Sequence, residues 1–177
     1  MEASLNFNKH LHNGDPLTNK TINGLVLTAN TTGSSNSGFG YNTLAANTNG
    51  NYNTAFGYQA LAFNISGNNN TAYGLSALQS VTSGSDNTGI GYSALLNVVG
   101  ENQNTAVGSW ALGNATGGSN TAVGFQALFD VTTGTYNNAF GRNTGRGITT
   151  GNYNTILGAG VTGLAAGLSN TVIIADG

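Results

Sequence analysis

The residues able to do chemistry are few, and their spacing limits what they can do. His10 and His12 form an H-x-H pair. Side chains alternate along an extended strand, so both imidazoles would face one side. Three copies of the chain around an axis would then present six imidazoles, enough for an octahedral first-row metal ion. The plainer alternative is a pair of solvated polar side chains. The carboxylates are Glu2, Asp15, Asp86, Glu101, Asp130 and Asp176. Asp86 and Glu101 each stand just before one of a series of recurring asparagines, one repeat apart. Glycoside hydrolysis uses two carboxylates ~5–9.5 Å apart, and stacked repeats would bring this pair within about two strand spacings. Both fall in turns, however, where solvated charge is the ordinary state.

The remaining chemistry is thinner still. There is no visible Ser-His-acid set, no phosphate loop and no D-x-D-G calcium loop. Cysteine is absent, which excludes disulfides and thiolate metal sites. Tyr41, Tyr58, Tyr92, Trp110 and Phe125 vary at the fifth and sixth positions of the repeat, placed for surface or interface packing or for stacking on sugars. N-x-S/T occurs at Asn64 and Asn114, which matters only in a secreted chain. The sequence therefore assigns no catalytic, cofactor-binding or metal residue and no cofactor, and the chain reads as a non-enzyme. A polysaccharide-cleaving enzyme built on Asp86 and Glu101 is kept as an alternative.

Composition narrows the class. Gly, Asn and Thr fill 79 of 177 positions, and only ten residues are charged. Folded domains usually carry about a quarter charged residues, and disordered chains more charge with less apolar content. Here 38% of residues are apolar and the net charge is −2. That balance gives no electrostatic reason to bind nucleic acid or an anionic membrane. No apolar run approaches the ~18 residues of a membrane span. The N-terminal "MEASLNFNKHLHNG" lacks the basic-then-apolar pattern of a signal peptide. The expectation is release without a signal, as by virus assembly and lysis, or a start after a removed segment.

The elements that must position these residues come from a repeat. "NTAFGYQAL" at 53–61 returns as "NTAYGLSAL", "NTGIGYSAL", "NTAVGSWAL" and "NTAVGFQAL". The anchor asparagines are Asn36, Asn53, Asn70, Asn87, Asn104, Asn120, Asn137, Asn154 and Asn170, spaced 17 apart except for two intervals of 16. Glycine follows four residues after the first eight, and another precedes each next anchor. Helical repeats need about 33 residues or more. A glycine-cut unit of this shorter length suits a short strand such as "NTAFG", a corner, a second strand beginning at "QALA", and a turn. The fold class is all-β, a β-solenoid whose coils stack ~4.8 Å apart into a rod of roughly 40 Å. Residues 1–35 read as an N-terminal cap or attachment segment, with "LVLTAN" as a strand able to start the stack. Residues 36–177 read as the solenoid, about eight coils.

Columns explain the repetition. The third position after the anchor holds Phe39, Phe56, Tyr73, Ile90, Val107, Val123, Phe140, Leu157 and Ile173; the eighth holds Leu44, Leu61, Leu78, Leu95, Leu112 and Leu128. These two columns are expected to form the interior. The second and seventh positions are mostly alanine, small enough for another backbone to approach. The anchors are expected to form an amide ladder. Two large apolar side chains per coil, worth ~1.5–3 kcal/mol each, are set against backbone ordering of about 1–2 kcal/mol per residue. Burial of the alanine face against sister chains in a parallel homotrimer is the expected remedy.

The pattern "NTAxGxxAL…G…N" resembles the "NSVAIGxxAxAxG" repeats of YadA-like head domains in trimeric autotransporter adhesins. It is also similar to Asn/Thr-Gly-rich repeats of bacteriophage tail fibres. The resemblance covers Asn36 to Gly177. It implies a left-handed parallel β-roll, obligately trimeric, with Thr54 and Phe56 at the large strand positions, Ala55 and Ala60 at the small ones and Gly57 at the corner. The unit departs from that family in being longer, which implies a longer turn such as "AFNISGN", and in carrying Thr where Val is usual. "SNTVIIADG" resembles the exit from such a head, or the lead-in to a self-cleaving chaperone, with continuation or processing at Gly177. Also implied are a fibre or adhesin serving as a rigid shaft or head, and location on a virion or cell surface. Further fibre or baseplate parts would join at the termini. A host glycan or protein receptor would be met by the variable turns "AFNIS", "QSVTS", "GNAT" and "FDVTT". An ice-binding solenoid is a further alternative, since the composition is Thr-rich and low in charge.

Overall fold

The structure is a computed structural model that describes residues 20–22 and 26–175. Within them lie ten three-residue strands and no helix. They are β1 (Lys20–Ile22), β2 (Ser37–Phe39), β3 (Thr54–Phe56), β4 (Thr71–Tyr73), β5 (Thr88–Ile90), β6 (Thr105–Val107), β7 (Thr121–Val123), β8 (Asn138–Phe140), β9 (Thr155–Leu157) and β10 (Val172–Ile174). All pair in parallel and in chain order within one sheet. Thr54 lies against Thr71 and Thr71 against Thr88, so like residues stack on like. The register holds across the one short coil between β6 and β7, where Thr105 meets Thr121. The chain is thus an all-β parallel solenoid in which one coil carries the chain from Asn36 to Asn53 and the next from Asn53 to Asn70.

In-register stacking begins upstream of Asn36, because Lys20 pairs with Ser37. "LVLTAN" is not the starting strand: its described part, residues 26–30, forms a turn, and the strand lies at Lys20–Ile22. Leu27 falls in the leucine column, with φ of 51° against 50° at Leu44. At the other end the ninth rung of the anchor ladder is Thr171, whose N–H donates to Asn154 Oδ1 (3.1 Å). Asn170 stands one residue too early, and Ile174, not Ile173, pairs with Leu157.

The expected interior is half right. The eighth-position leucines, from Leu44 to Leu128, are fully buried. The third-position column is turned out: Phe56 is 39% and Tyr73 55% exposed, while Ala55 and Ala72, two residues after their anchors, are buried. The alanines expected at an interface instead line the core. Space explains the inversion. Gly89 occupies an alanine place, and a Cβ built there would lie 3.1 Å from Leu78 Cγ and 3.2 Å from Ala94 O. A methyl is therefore the most that this column holds beside leucine. Val81, Val98, Val131 and Ile148, eleven residues after their anchors, complete the core. One exception supports the same account. Gly145 replaces the leucine of its coil, and Ile156 replaces alanine in the next. A Cβ on Gly145 would lie 3.2 Å from Ile156 Cδ1, so the larger residue fills the space the leucine leaves.

No second strand forms at "QALA". Gln59 (φ 56°) and Leu61 (φ 50°) are both left-handed, as are their counterparts in other coils, and the stretch is a turn. Left-handed residues break extended pairing. Stacking nevertheless continues through it, with Leu61 N–H donating to Ala77 O (3.1 Å) and Leu78 N–H to Ala94 O (3.0 Å). Leucine, unbranched at Cβ, suits such a place better than valine or isoleucine. Glycine is required at the corner after the strand. At Gly74, φ is 138° and a Cβ would sit 2.5 Å from Gly91 O of the next coil.

Candidate functional site

The amide ladder forms as the anchor spacing implies. The anchors Asn36 to Asn154 are fully buried. Each Oδ1 accepts the backbone N–H of the next anchor, as from Asn53 to Asn36 (2.9 Å) and from Asn104 to Asn87 (3.0 Å). Most of their Nδ2 groups donate to a carbonyl closing the same coil, as Asn53 does to Gly67 O (2.8 Å) and Asn87 to Glu101 O (2.8 Å). This ladder is scaffold: it has no exposure to a ligand and fixes the pitch of everything outside it.

Two polar ladders were missed by sequence reading. Asn30, Asn47 and Asn64 form an inner one, with Asn47 Nδ2 donating to Asn30 Oδ1 (2.8 Å) and Asn64 Nδ2 to Asn47 Oδ1 (2.7 Å). It ends where Val81 takes the next rung, and Asn64 Oδ1 is left buried without a partner. Asn64 is therefore buried structure, not an accessible glycosylation acceptor. An outer ladder two residues before the anchors, broken at Gly118, passes a bond from coil to coil, as from Asn51 N–H to Asn68 Oδ1 (2.8 Å). The regular spacing of these asparagines, in step with the anchors, was the available signal.

The exposed surface carries what chemistry there is. On the strand face, Phe39, Phe56 and Tyr73 stack in parallel at centroid distances of 4.6 and 4.7 Å, beside an in-register column of threonines. Tyr41 stacks on Tyr58 at 5.4 Å, while Tyr92 and Trp110 meet edge to face at 5.3 Å, and Trp110 meets Phe129 likewise at 5.9 Å. Phe125 stands 6.0 Å from the Arg142 guanidinium carbon. These five expected aromatics thus pack chiefly along the rod with their neighbours. Near the last rungs Phe140, Leu157, Ala159 and Ile174 line an open apolar groove of about 500 Å³.

The two candidate carboxylates occupy different columns. Asp86 directly precedes its anchor and accepts from Asn69 Nδ2 (3.1 Å). Glu101 lies three residues before its anchor, and its Oε2 accepts the N–H groups of Val99 (2.9 Å) and Gly100 (3.0 Å), folding the carboxylate onto its own turn. A third acid forms an ion pair: Arg146 Nε donates to Asp130 Oδ2 (2.7 Å) and Nη2 to Oδ1 (3.1 Å). The Arg146 bond, helped by the Gly147 N–H and opposed by partial burial, holds the Asp130 carboxyl below its ordinary range. Among the described residues, no three His, Asp or Glu side chains cluster to hold a metal. His10 and His12, with Glu2, Asp15, Asp176 and Gly177, lie outside the described residues.

Fold and surface together define a repeat solenoid with columns of aromatic residues and threonine on its outside. Compared with known proteins, the chain matches no family model, no curated protein and no solved structure.

Proposed function

We propose that the chain is a segment of a non-enzymatic attachment fibre. In this reading it is a left-handed β-roll joined as a parallel homotrimer, serving as the rigid shaft or head of a phage tail fibre or surface adhesin. One observation carries the reading: an apolar file from Phe39 through Phe56, Tyr73, Ile90, Phe140 and Leu157 faces outward along the rod. Contiguous exposed apolar surface marks an interaction site. A partner that meets every rung must share the axial repeat of ~4.8 Å, and a parallel copy of the same chain does. The interface accordingly moves from the alanine face to the face of phenylalanine and threonine. The near-absence of charge lets like surfaces approach without repulsion. The number three and the hand of the coil come from the resemblance to adhesin heads. Receptor contact then falls to the turns and corners left outside the interface, on a virion or cell surface.

Sedimentation equilibrium tests it. The expected mass is about three times the 17.8 kDa of one chain, and a stable monomer refutes the assembly. Phe56→Asp is expected to dissociate it while the β circular-dichroism signal persists. An ice-binding role has one observation in its favour, the in-register column of exposed Thr54 and Thr71 and half-buried Thr88. Thermal hysteresis at millimolar chain would support it; its absence with a trimer present favours the fibre.

A further inference from the structure

Among the described residues the one short coil, Asn104 to Ser119, interrupts the outer polar ladder. In most other coils the residue two before the anchor carries a polar side chain that accepts from the preceding coil, as Asn102 Oδ1 does from Ser85 N–H (2.7 Å) and Asn152 Oδ1 from Thr135 N–H (2.8 Å). In the short coil that place is Gly118. The next residue, Ser119, is too small to stack on the rung that follows it, Tyr136. Tyr136 stacks one face on Tyr153 at 4.9 Å and 1°. Its other face turns toward Ser119, whose hydroxyl is drawn away to Gln103 Oε1 (3.4 Å). The result is a notch of about 300 Å³ lined by Glu101, Asn102, Gln103, Ser119, Thr135 and Tyr136, with Gly118 at its edge.

We propose that this notch is a subsite for one neutral pyranose ring of a surface glycan. A pyranose has an apolar C–H face and a rim of hydroxyls. The uncovered face of Tyr136 matches the first, since aromatic rings pack on apolar groups and on polarised C–H. The amides of Asn102 and Gln103 and the hydroxyl of Thr135 match the second, as they both donate and accept. Glu101 is fixed in advance because its Oε2 is held by two backbone N–H groups, and its Oε1 faces no such bond. A carboxylate with no Lys or Arg beside it in the lining selects against acidic sugars. The volume lies at the small end of ligand sites, room for one ring rather than a chain. Single-site affinity is accordingly weak, and repetition of the notch on each copy of the fibre raises it through avidity. The inference rests on the attachment reading and names its ligand class.

Saturation-transfer NMR on the full chain tests it with methyl glycosides of glucose, galactose and N-acetylglucosamine, and sialyllactose as the acidic comparison. Transfer to ring protons of at least one neutral glycoside is expected, weakened about tenfold in Tyr136→Ala and unchanged in Tyr58→Ala. Tyr136 is exposed, so the variant keeps the fold. Ser119→Tyr, which would continue the stack of Tyr136 and Tyr153 over the open face, is expected to abolish the signal. No transfer from any neutral glycoside, or undiminished transfer in Tyr136→Ala, overturns the notch. Cell binding that persists in Tyr136→Ala without a glycoside signal overturns the notch and leaves attachment standing. A glycoside signal dependent on Tyr136 in a chain that sediments as a monomer supports the notch and counts against the fibre.

Discussion

Replacement of Asn87 by aspartate isolates what the anchor ladder contributes. Asn87 is fully buried. Its Nδ2 donates to Glu101 O (2.8 Å) and Asn70 Oδ1 (3.2 Å), and its Oδ1 accepts from Asn104 N–H (3.0 Å). Asn87→Ala orphans two buried donors, Asn104 N–H and Asn104 Nδ2 (3.3 Å), and one acceptor, Glu101 O. At about 1–3 kcal/mol each, the expected loss is about 3–9 kcal/mol. Asn87→Asp keeps the acceptor and the shape but points an oxygen at two oxygens. Burial and those neighbours raise the folded pKa of the new carboxyl above its unfolded value of about 3.9. Below that value the group is protonated in both states and can donate to Glu101 O. The penalty therefore grows as pH rises through the unfolded pKa, by about 1.4 kcal/mol per unit, until the folded pKa is passed. Thermal unfolding by circular dichroism should show Asn87→Asp close to wild type near pH 3.5 and well below it at pH 7. Weakening of the Asp130–Arg146 pair in acid affects both chains and cancels in the difference. A gap that does not change with pH, or an Asn87→Ala variant within about 0.5 kcal/mol of wild type, refutes the ladder as a source of stability.

Other substitutions probe other parts of the coil. Gly74→Ala should cost the ~1–3 kcal/mol of a disfavoured backbone and an overlap with Gly91 besides, whereas Gly163→Ala, with φ of 68° and nothing within 4 Å, should cost only about 1–2 kcal/mol; urea denaturation separates the two. Thr144 Oγ1 is buried without a partner in a column that is otherwise mostly alanine, so Thr144→Val should raise stability by about 1 kcal/mol in the same assay. Leu95→Ala removes a fully buried side chain and should cost about 2–5 kcal/mol. Asp130 has a depressed folded pKa, so its contribution, about 1 kcal/mol or less for a partly exposed pair, is present above the unfolded pKa and fades as pH falls through the folded value. Asp130→Asn should flatten that part of the stability profile in acid titration.

The repeat made the stacking, the parallel class, the leucine column and the anchor ladder legible, because each depends only on which residues recur and how far apart. The facing of the strand was not legible. Ala55 and Phe56 alternate either way, and a period of two does not say which side is inside. The answer depends on the bore of the coil, which Leu61 and Val81 already fill. Nor did the pattern disclose that Gln59 and Leu61 are left-handed, since "QAL" has no glycine to announce it. The upstream coil was readable in principle: Leu27, Asn30 and Gly33 stand one full repeat before Leu44, Asn47 and Gly50. The notch was harder. Ser119 shows in the sequence one repeat before Tyr136, but that its small side chain leaves one ring face uncovered follows only from the stack of Tyr136 on Tyr153.

Because each turn of the chain touches only the turn before and the turn after, length is a free variable. Unequal recombination between near-identical stretches would add or delete whole turns, each changing reach by ~4.8 Å while leaving every junction chemically the same. Such a molecule can be tailored as a ruler by copy number alone, without any new contact having to evolve.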